Sequence, residues 1–474
     1  MPQAAVKRTP KAPRQEPRRL DAASRVSGCA EVELALDANQ ARLEALRCLD
    51  CKDPTCVEAC PLHIDIRSFI RLIVEGDFEG ALEKISERSP FPAICGRVCQ
   101  HELYCEKACK LGKKLQPVAI GDLERFAAGF EGLRPAASAA TPAGSSGQPW
   151  VALVGSGPAS LLAAHDLARL GYRVRIFEAL HDFGGVLRYG VPPFRLPRDI
   201  LDAQIHRLRQ MGVEFCSNFV VGKTCSLDEL FREGHQAVFL ATGAGVPHLM
   251  GIPGENLVGV YTANEFLTRL NLMEAYRFPD ADTPVRAGQR AVIVGGGNAA
   301  MDAARWARRL GCETTILFRR GRSELRARLE EITRAEEEGV RFEFLAAPVR
   351  IIGDEAGLAA EVECIRMRLG EPDESGRPAP APIEGSEFRI AADLVVEAIG
   401  QSPNQTLQRA TPSIATQRGK IAVDEAGRTS VPRVFAGGDV ARGGSTVILA
   451  MRDGRAAADA IHRALSQPVA EASA

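Results

Sequence analysis

The sequence predicts an α/β protein: an all-α segment followed by two doubly wound units, each built on a parallel sheet. Three observations carry this. A strand, glycine turn, helix and second strand read off VALVGSGPASLLAAHDLARLGYRVRIFEA, which starts at Val151. The same pattern returns about 140 residues later in AVIVGGGNAAMDAARWARRLGCETTILFRR (291–320), and two such β-α-β openings imply two nucleotide-binding domains. Upstream, residues 24–130 carry helical periodicity, as in LALDANQARLEALRCLD (34–50) and IRSFIRLIVEGDFEGALEKI (66–85), and no convincing alternating strand.

The chain has 474 residues, too many for one ordinary core, so two to four domains are expected. Its hydrophobic fraction of 45% and charged fraction of 25% describe a globular protein. A net charge of −1 argues against a polyanion binder, so no nucleic acid partner is expected. No apolar run reaches the roughly 18 residues of a membrane helix, so no membrane span is expected. Lys7, Arg8, Lys11, Arg14, Arg18 and Arg19 lie among prolines with no apolar segment after them, so neither a Sec nor a twin-arginine signal is expected. The chain is expected in the cytoplasm.

These features divide the chain into a disordered basic tail (1–23), a helical domain (24–130) and a linker rich in Ala, Pro, Gly and Ser (131–149). A first nucleotide-binding domain follows in two parts, 150–285 and 393–474, with the second domain, 286–392, between them. The tail has an alternative reading as a docking arm for an acidic partner.

Eight of the 13 cysteines lie between Cys48 and Cys109. The first run, CLDCKDPTCVEACP, contains Cys48, Cys51, Cys56 and Cys60 before Pro61; the second, CGRVCQHELYCEKAC, contains Cys95, Cys99, Cys105 and Cys109. Short gaps let thiolates converge on one compact cluster, and a cysteine before proline commonly serves the neighbouring cluster, as in bacterial ferredoxin runs. Structural zinc competes, because Cys48-x-x-Cys51 alone would permit it. The second run has no such knuckle, and eight ligands with a Cys-Pro ending favour iron–sulfur clusters.

In GSGPAS, Gly155 permits a tight turn and Gly157 lets the backbone approach a pyrophosphate. The helix opened by Pro158, Ala159 and Ser160 then presents free N–H groups and about half a positive charge. Ser160 replaces the usual third glycine but is small enough for close helix–strand packing. Glu178 ends the next strand, where a carboxylate can accept both ribose hydroxyls.

Later segments identify this dinucleotide as FAD. VFLATGA (238–244), with Thr242 and Gly243, and VVEAIGQSPN (395–404), with Gly400, are strand-to-turn segments whose glycines let backbone graze a nucleotide. VFAGGDVARGG (434–444) offers Gly438 and Asp439, whose carboxylate suits the ribityl or pyrophosphate end of a flavin. A helix from about Thr446 would aim its positive end at the flavin O2 region. Each piece alone is also readable as a plain loop; together, in this order, they point to FAD.

The second turn, GGGNAA, brings Gly295, Gly297, Asn298 and Ala299 to a helix N-terminus. The strand after it runs into Arg319 and Arg320 instead of a carboxylate, which suits a ribose 2′-phosphate and favours NADP(H), with NAD(H) as the alternative. A solvated basic loop is the competing reading. No Cys-x-x-Cys follows this turn, so a dithiol is not the electron exit.

Together, the twin cysteine runs, GSGPAS, GGVLRYGVPPFRLP (184–197), MGIPGENLVGVYTANEFL (250–267), GGGNAAMDAAR and AGGDV resemble the glutamate synthase small-subunit family over residues 25–465. That family includes small subunits of NADPH-dependent glutamate synthase, the large subunit of the ferredoxin:NADP transhydrogenase and the N-terminal half of dihydropyrimidine dehydrogenase. The resemblance implies a helical domain with two [4Fe-4S] clusters, then FAD and NADPH domains in the adrenodoxin-reductase arrangement. It also implies that Cys48, Cys51, Cys56 and Cys109 hold one cluster, and Cys60, Cys95, Cys99 and Cys105 the other. Gly184, Gly185 and Leu187 would lie nearest the flavin ring.

The expected function is that of an electron-transfer subunit between NAD(P)H, FAD, two clusters and a partner oxidoreductase subunit or ferredoxin-like carrier, within a hetero-oligomer. No side chain need act as general acid or base. A self-sufficient reductase and a cofactor-bearing scaffold are the alternatives.

Overall fold

The computed structural model describes residues 7–131, 148–373 and 376–466. In the N-terminal third, helices begin where a short carboxylate can cap them. Asp37 accepts from the Gln40 N–H at 2.8 Å while its own N–H donates to Gln40 Oε1, a closed capping box at the start of Ala38–Leu46. Asp65 and Asp77 cap Ile66–Glu75 and Phe78–Ser86 in the same way. Their apolar faces meet Pro92–Val98 and Ile120–Ala128 around Phe69, Ile73, Ile85, Ile94 and Leu123, forming the core that carries the cysteines.

The N-terminal segment departs from expectation. Residues 7–23 are laid along the helical domain instead of forming a disordered tail, while residues 1–6 fall outside the described residues. Arg47, 1% exposed, donates to the carbonyls of Ala12, Gln116 and Pro117 and pairs with buried Glu44 at 2.6 Å. Arg14 pairs with Glu106, and the Leu20 N–H donates to Val32 O. Basic and proline-rich composition suggested solvation, but these arginines find buried carboxylates and carbonyls. The expected linker lies largely outside the described residues, at 132–147.

Two five-stranded parallel sheets follow. The first has the spatial order Val434–Ala436, His235–Leu240, Trp150–Val154, Arg173–Phe177, Glu214–Cys216. The second runs Val260–Thr262, Leu394–Glu397, Arg290–Val294, Glu313–Phe318, Arg341–Phe344. Two strands of the second sheet lie outside the 286–392 span expected for it, so that unit begins earlier and ends later. Leu394–Glu397 is buried at every position, as a central parallel strand must be. An antiparallel insertion, built on Ala346–Gly353, Ala359–Pro372 and Phe388–Ala391, packs against the second unit.

The long helix Val447–Ser466 returns to the first sheet and packs on Pro158–Arg169. A Cβ on Gly454 would overlap the Ala159 carbonyl, so glycine sets that approach. A chain of buried ion pairs joins the helical domain to the second unit. Glu331, 0% exposed, pairs with Arg305 and, at 2.5 and 3.3 Å, with Arg334 and Arg195; Arg334 in turn pairs with Glu33. Burial alone would raise the Glu331 carboxyl, but Arg195, Arg305, Arg334 and Arg328 hold it well below its ordinary value.

Candidate functional site

A cleft of ≈ 510 Å³ opens where the carboxyl ends of the two sheets face each other. Gly155, Gly157, Pro158 and Ala159 form one wall. Gly155 has φ +95°, and a Cβ there would lie 2.5 Å from the Ala241 carbonyl, so the turn demands glycine. Gly157, by contrast, has nothing within 4 Å of where its Cβ would stand, a cradle open towards the cleft. The helix behind it has no side-chain cap, so its first N–H groups are free for an anion.

Glu178 lines the cleft and is 6% exposed. Its Oε2 accepts from Ser156 N and Oγ at 2.9 and 2.5 Å, and its Oε1 accepts from Leu180 N at 2.9 Å and keeps a lone pair for a ribose. Ser156 Oγ also accepts from the Gly184 N–H, tying the second glycine turn to the first. Ser156 was missing from the expected set, although its place inside GSGPAS marked it.

Thr242, Gly243, Gly400, Gly438, Asp439 and Thr446 all line the same cleft, as the FAD assignment requires. Asp439 Oδ1 accepts from Ser445 N and Oγ; burial first, then Asp453, raises its carboxyl above the ordinary value. Gly185 also lines the cleft, but Leu187 does not: it is 0% exposed and points into the core, so Val186 and Tyr189 form that wall. Gly184 sits behind Gly185, and Ser160 is fully buried beneath its helix.

From the second unit, Asn298 and Ala299 reach the cleft, and the helix Asn298–Arg309 again lacks a side-chain cap. Gly295 holds φ +146°, and Gly297 has open space where a Cβ would be. The two arginines expected at the adenosine ribose divide. Arg319 is exposed. Arg320 is 3% exposed, donates to Pro378 O at 3.0 Å and pairs with Asp373, which commits it to the antiparallel insertion and corrects its assignment to a phosphate. Arg326, whose N–H donates to Gly296 O at 2.8 Å, stands beside the glycine turn in its stead.

The eight cysteines separate into two groups. Cys48, Cys51, Cys56 and Cys109 line one small cavity. Cys60, Cys95, Cys99 and Cys105 are all buried, and the charge of Cys60 reaches each of the other three. Burial first, with neighbouring thiols and carboxylates, pushes Cys95, Cys99 and Cys105 well up and Cys56 up to about 12. Such thiols ionise only for a strongly electropositive partner. Among the described residues no group of three His, Cys, Asp or Glu side chains is placed to hold a single metal ion.

The buried group abuts the cleft. Val98 and Gln100 line it, the Tyr104 hydroxyl meets Thr446 Oγ1 at 2.9 Å, and Cys95 Sγ lies 3.8 Å from Met451 Sδ. Sequence reasoning missed these four, because the last two pairings span 342 and 356 residues and leave no local signal. No helix among the described residues is long and apolar enough to cross a membrane.

Two family profiles match: pyridine nucleotide-disulphide oxidoreductase over residues 149–454, and dihydropyrimidine dehydrogenase domain II, 4Fe-4S cluster, over 25–133. The NADP(+)-dependent formate dehydrogenase subunit beta of Moorella thermoacetica is 39% identical over 87% of this chain; the chain spans 60% of that protein's length. The glutamate synthase [NADPH] small chain of Azospirillum brasilense is 36% identical, covering 94% of this chain and 93% of its own. Among solved structures, FprA of Mycobacterium tuberculosis in complex with NADPH shares the fold, with a TM-score of 0.55 at 22% identity over 67% of this chain and 85% of FprA. The matched families carry FAD, a nicotinamide nucleotide and a [4Fe-4S] cluster, and the cleft and cysteine groups fit those cofactors.

Gly155→Ala should lose most of its flavin absorbance on purification. A left-handed backbone costs an alanine about 1–2 kcal/mol before the overlap with Ala241 is counted. Full retention of flavin would remove this turn from the binding site.

Proposed function

The chain belongs to the pyridine nucleotide-disulphide oxidoreductases, within the group of glutamate synthase small chains, and on that premise we propose that it is the electron-transfer subunit of a larger oxidoreductase, joining NADP(H) to a partner through FAD and two [4Fe-4S] clusters. One observation carries the reading: the buried cysteine group and the flavin cleft share a wall, made by Val98, Gln100 and the Tyr104–Thr446 hydrogen bond. When bound, FAD supplies the change from two-electron to one-electron chemistry, and a [4Fe-4S] cluster supplies one-electron carriage.

The residues of the chain bind and orient. The N-terminus of Pro158–Arg169 holds a pyrophosphate, Glu178 a ribose, and the N-terminus of Asn298–Arg309 the phosphates of the nicotinamide nucleotide. Arg195 and Asp302, both lining the cleft and paired at 2.6 Å, brace the two units against each other where the nicotinamide must enter. Cys48, Cys51, Cys56 and Cys109 hold one cluster; Cys60, Cys95, Cys99 and Cys105 hold the other. The partner is a catalytic or electron-accepting subunit in a hetero-oligomer, or a ferredoxin-like carrier. The direct test is anaerobic titration with NADPH, followed by flavin absorbance and EPR. Both flavin and iron–sulfur signals should respond, and stoichiometric zinc with little iron would overturn the assignment.

NADPH should be preferred to NADH. Exposed Arg319 follows the strand Glu313–Phe318 and Arg326 is hydrogen-bonded to Gly296 of the glycine turn, and each charge-assisted bond to a 2′-phosphate contributes roughly 1.5–3 kcal/mol, or about tenfold and upwards in affinity. The names of the relatives, which specify NADPH or NADP(+), support the same choice. The Arg319→Ala/Arg326→Ala protein should lose its kcat/KM advantage with NADPH while keeping its rate with NADH. A native enzyme that already favours NADH would refute the preference and leave the electron-transfer role standing.

A further inference from the structure

The chain is rich in arginine and poor in lysine: it has ten lysines among 59 basic residues. Five of the ten, Lys52, Lys107, Lys110, Lys113 and Lys114, fall within five residues of Cys51 or Cys109. These cysteines belong to the outer group, whose four members are all part-exposed, in contrast to the buried group beside the cleft. Thr55 Oγ1 donates to Ala108 O at 2.6 Å, so the Lys52 loop and the Lys107–Lys114 stretch lie side by side. Lys110 lines the same cavity as the four thiols, and exposed Leu49 and Leu115, 43% exposed each, flank them.

Among the described residues none of these five lysines forms an ion pair, although arginines nearby do. Arg67 and Arg71 both engage Asp50, at 2.6 and 3.0 Å, while Asp53 and Glu58 are exposed carboxylates in the same stretch. The division follows from side-chain chemistry. An arginine fork makes fixed bidentate pairs, whereas a lysine is a hydrated point charge on a flexible stem, suited to attraction at a distance without a fixed partner. Five uncommitted ammonium groups on the two segments that carry a part-exposed cluster site, with two exposed leucines on the same segments, make this a positive surface with a small apolar component.

We propose that this face docks a small one-electron carrier protein whose own redox centre is surrounded by carboxylates. The inference rests on the electron-transfer reading and specifies its exit. One NADPH reduces two carriers, giving NADP+, two one-electron-reduced carriers and one H+. Charge attraction steers each encounter, while the small contact lets the reduced carrier leave.

The test uses the holoprotein with NADPH and three acceptors: an acidic plant-type [2Fe–2S] ferredoxin, a basic cytochrome c, and menadione, which is small and uncharged. Reduction of the ferredoxin should lose about tenfold or more in kcat/KM between about 20 mM and about 500 mM salt, and cytochrome c should be the poorer protein acceptor. Lys107→Glu/Lys113→Glu/Lys114→Glu should lower the low-salt ferredoxin rate about tenfold or more, with iron content and the menadione rate unchanged. Lys107→Gln/Lys113→Gln/Lys114→Gln should fall between, and serves if charge reversal costs iron. A ferredoxin rate that ignores both salt and these substitutions, or a preference for cytochrome c, overturns the docking face while cluster reduction by NADPH still supports the electron-transfer role. Clusters that NADPH cannot reduce overturn both.

Discussion

The Cys109→Ser protein should purify with about half of the roughly eight irons that two [4Fe-4S] clusters contain, and should keep the EPR signal of the inner cluster alone. Cys109 lines the cavity shared by Cys48, Cys51 and Cys56, although it follows Cys105 of the other group by only four positions. The inner four thiols are each buried and share no lining residue with that cavity, so their cluster should survive. Flavin should still bleach with NADPH, while delivery to a protein acceptor falls close to zero, since the part-exposed site is the exit. If the signal of the inner cluster disappears instead, the pairing of the eight cysteines is wrong.

Glu331→Ala should destabilise the second unit by up to about 3–5 kcal/mol, because removing the central carboxylate of a buried ion-pair network leaves positive charge there under-compensated. Three guanidinium groups, Arg195, Arg305 and Arg334, share this one carboxylate, which is 0% exposed, and would fall back on Asp302, Glu338 and Glu33. Its pKa is depressed on folding, so the stabilisation is complete above the ordinary value of 4.5 and is lost as acid approaches the folded value. Denaturant melts near neutral pH should therefore separate the variant widely from the native protein, and the gap should narrow as the pH falls below about 4. Equal midpoints at neutral pH would show that the network adds nothing to stability.

What the sequence displayed was whatever chemistry is local. A glycine turn between an apolar strand and a helix is written within a dozen residues, so both phosphate turns and Glu178 were legible. The cysteine runs stood out through spacing alone, but their division into two groups came with the family resemblance. The strand Val260–Thr262 is too short for any period to register, which blurred the boundary of the second unit. Leu187 looked like a flavin neighbour because its segment is one; a single step of helix turned it into the core. Arg320 finds its partners across the insertion at Asp373 and Pro378, out of reach of local pattern. The residues that join clusters to cleft, Tyr104 and Met451, are invisible for the same reason.

The strand order of the first sheet governs how the protein can be made. Its edge strand, Val434–Ala436, and the helix Val447–Ser466 are synthesised nearly 300 residues after Trp150–Val154. Domains ordinarily fold as units, in the order in which they leave the ribosome. Here the cysteine-bearing helices can settle first, the second sheet closes once Leu394–Glu397 has arrived, and the first sheet, though begun before it, is completed after it. Flavin loading therefore waits for the return of residues 434–466, and a chain cut before Val434 should yield a brown protein rather than a yellow-brown one.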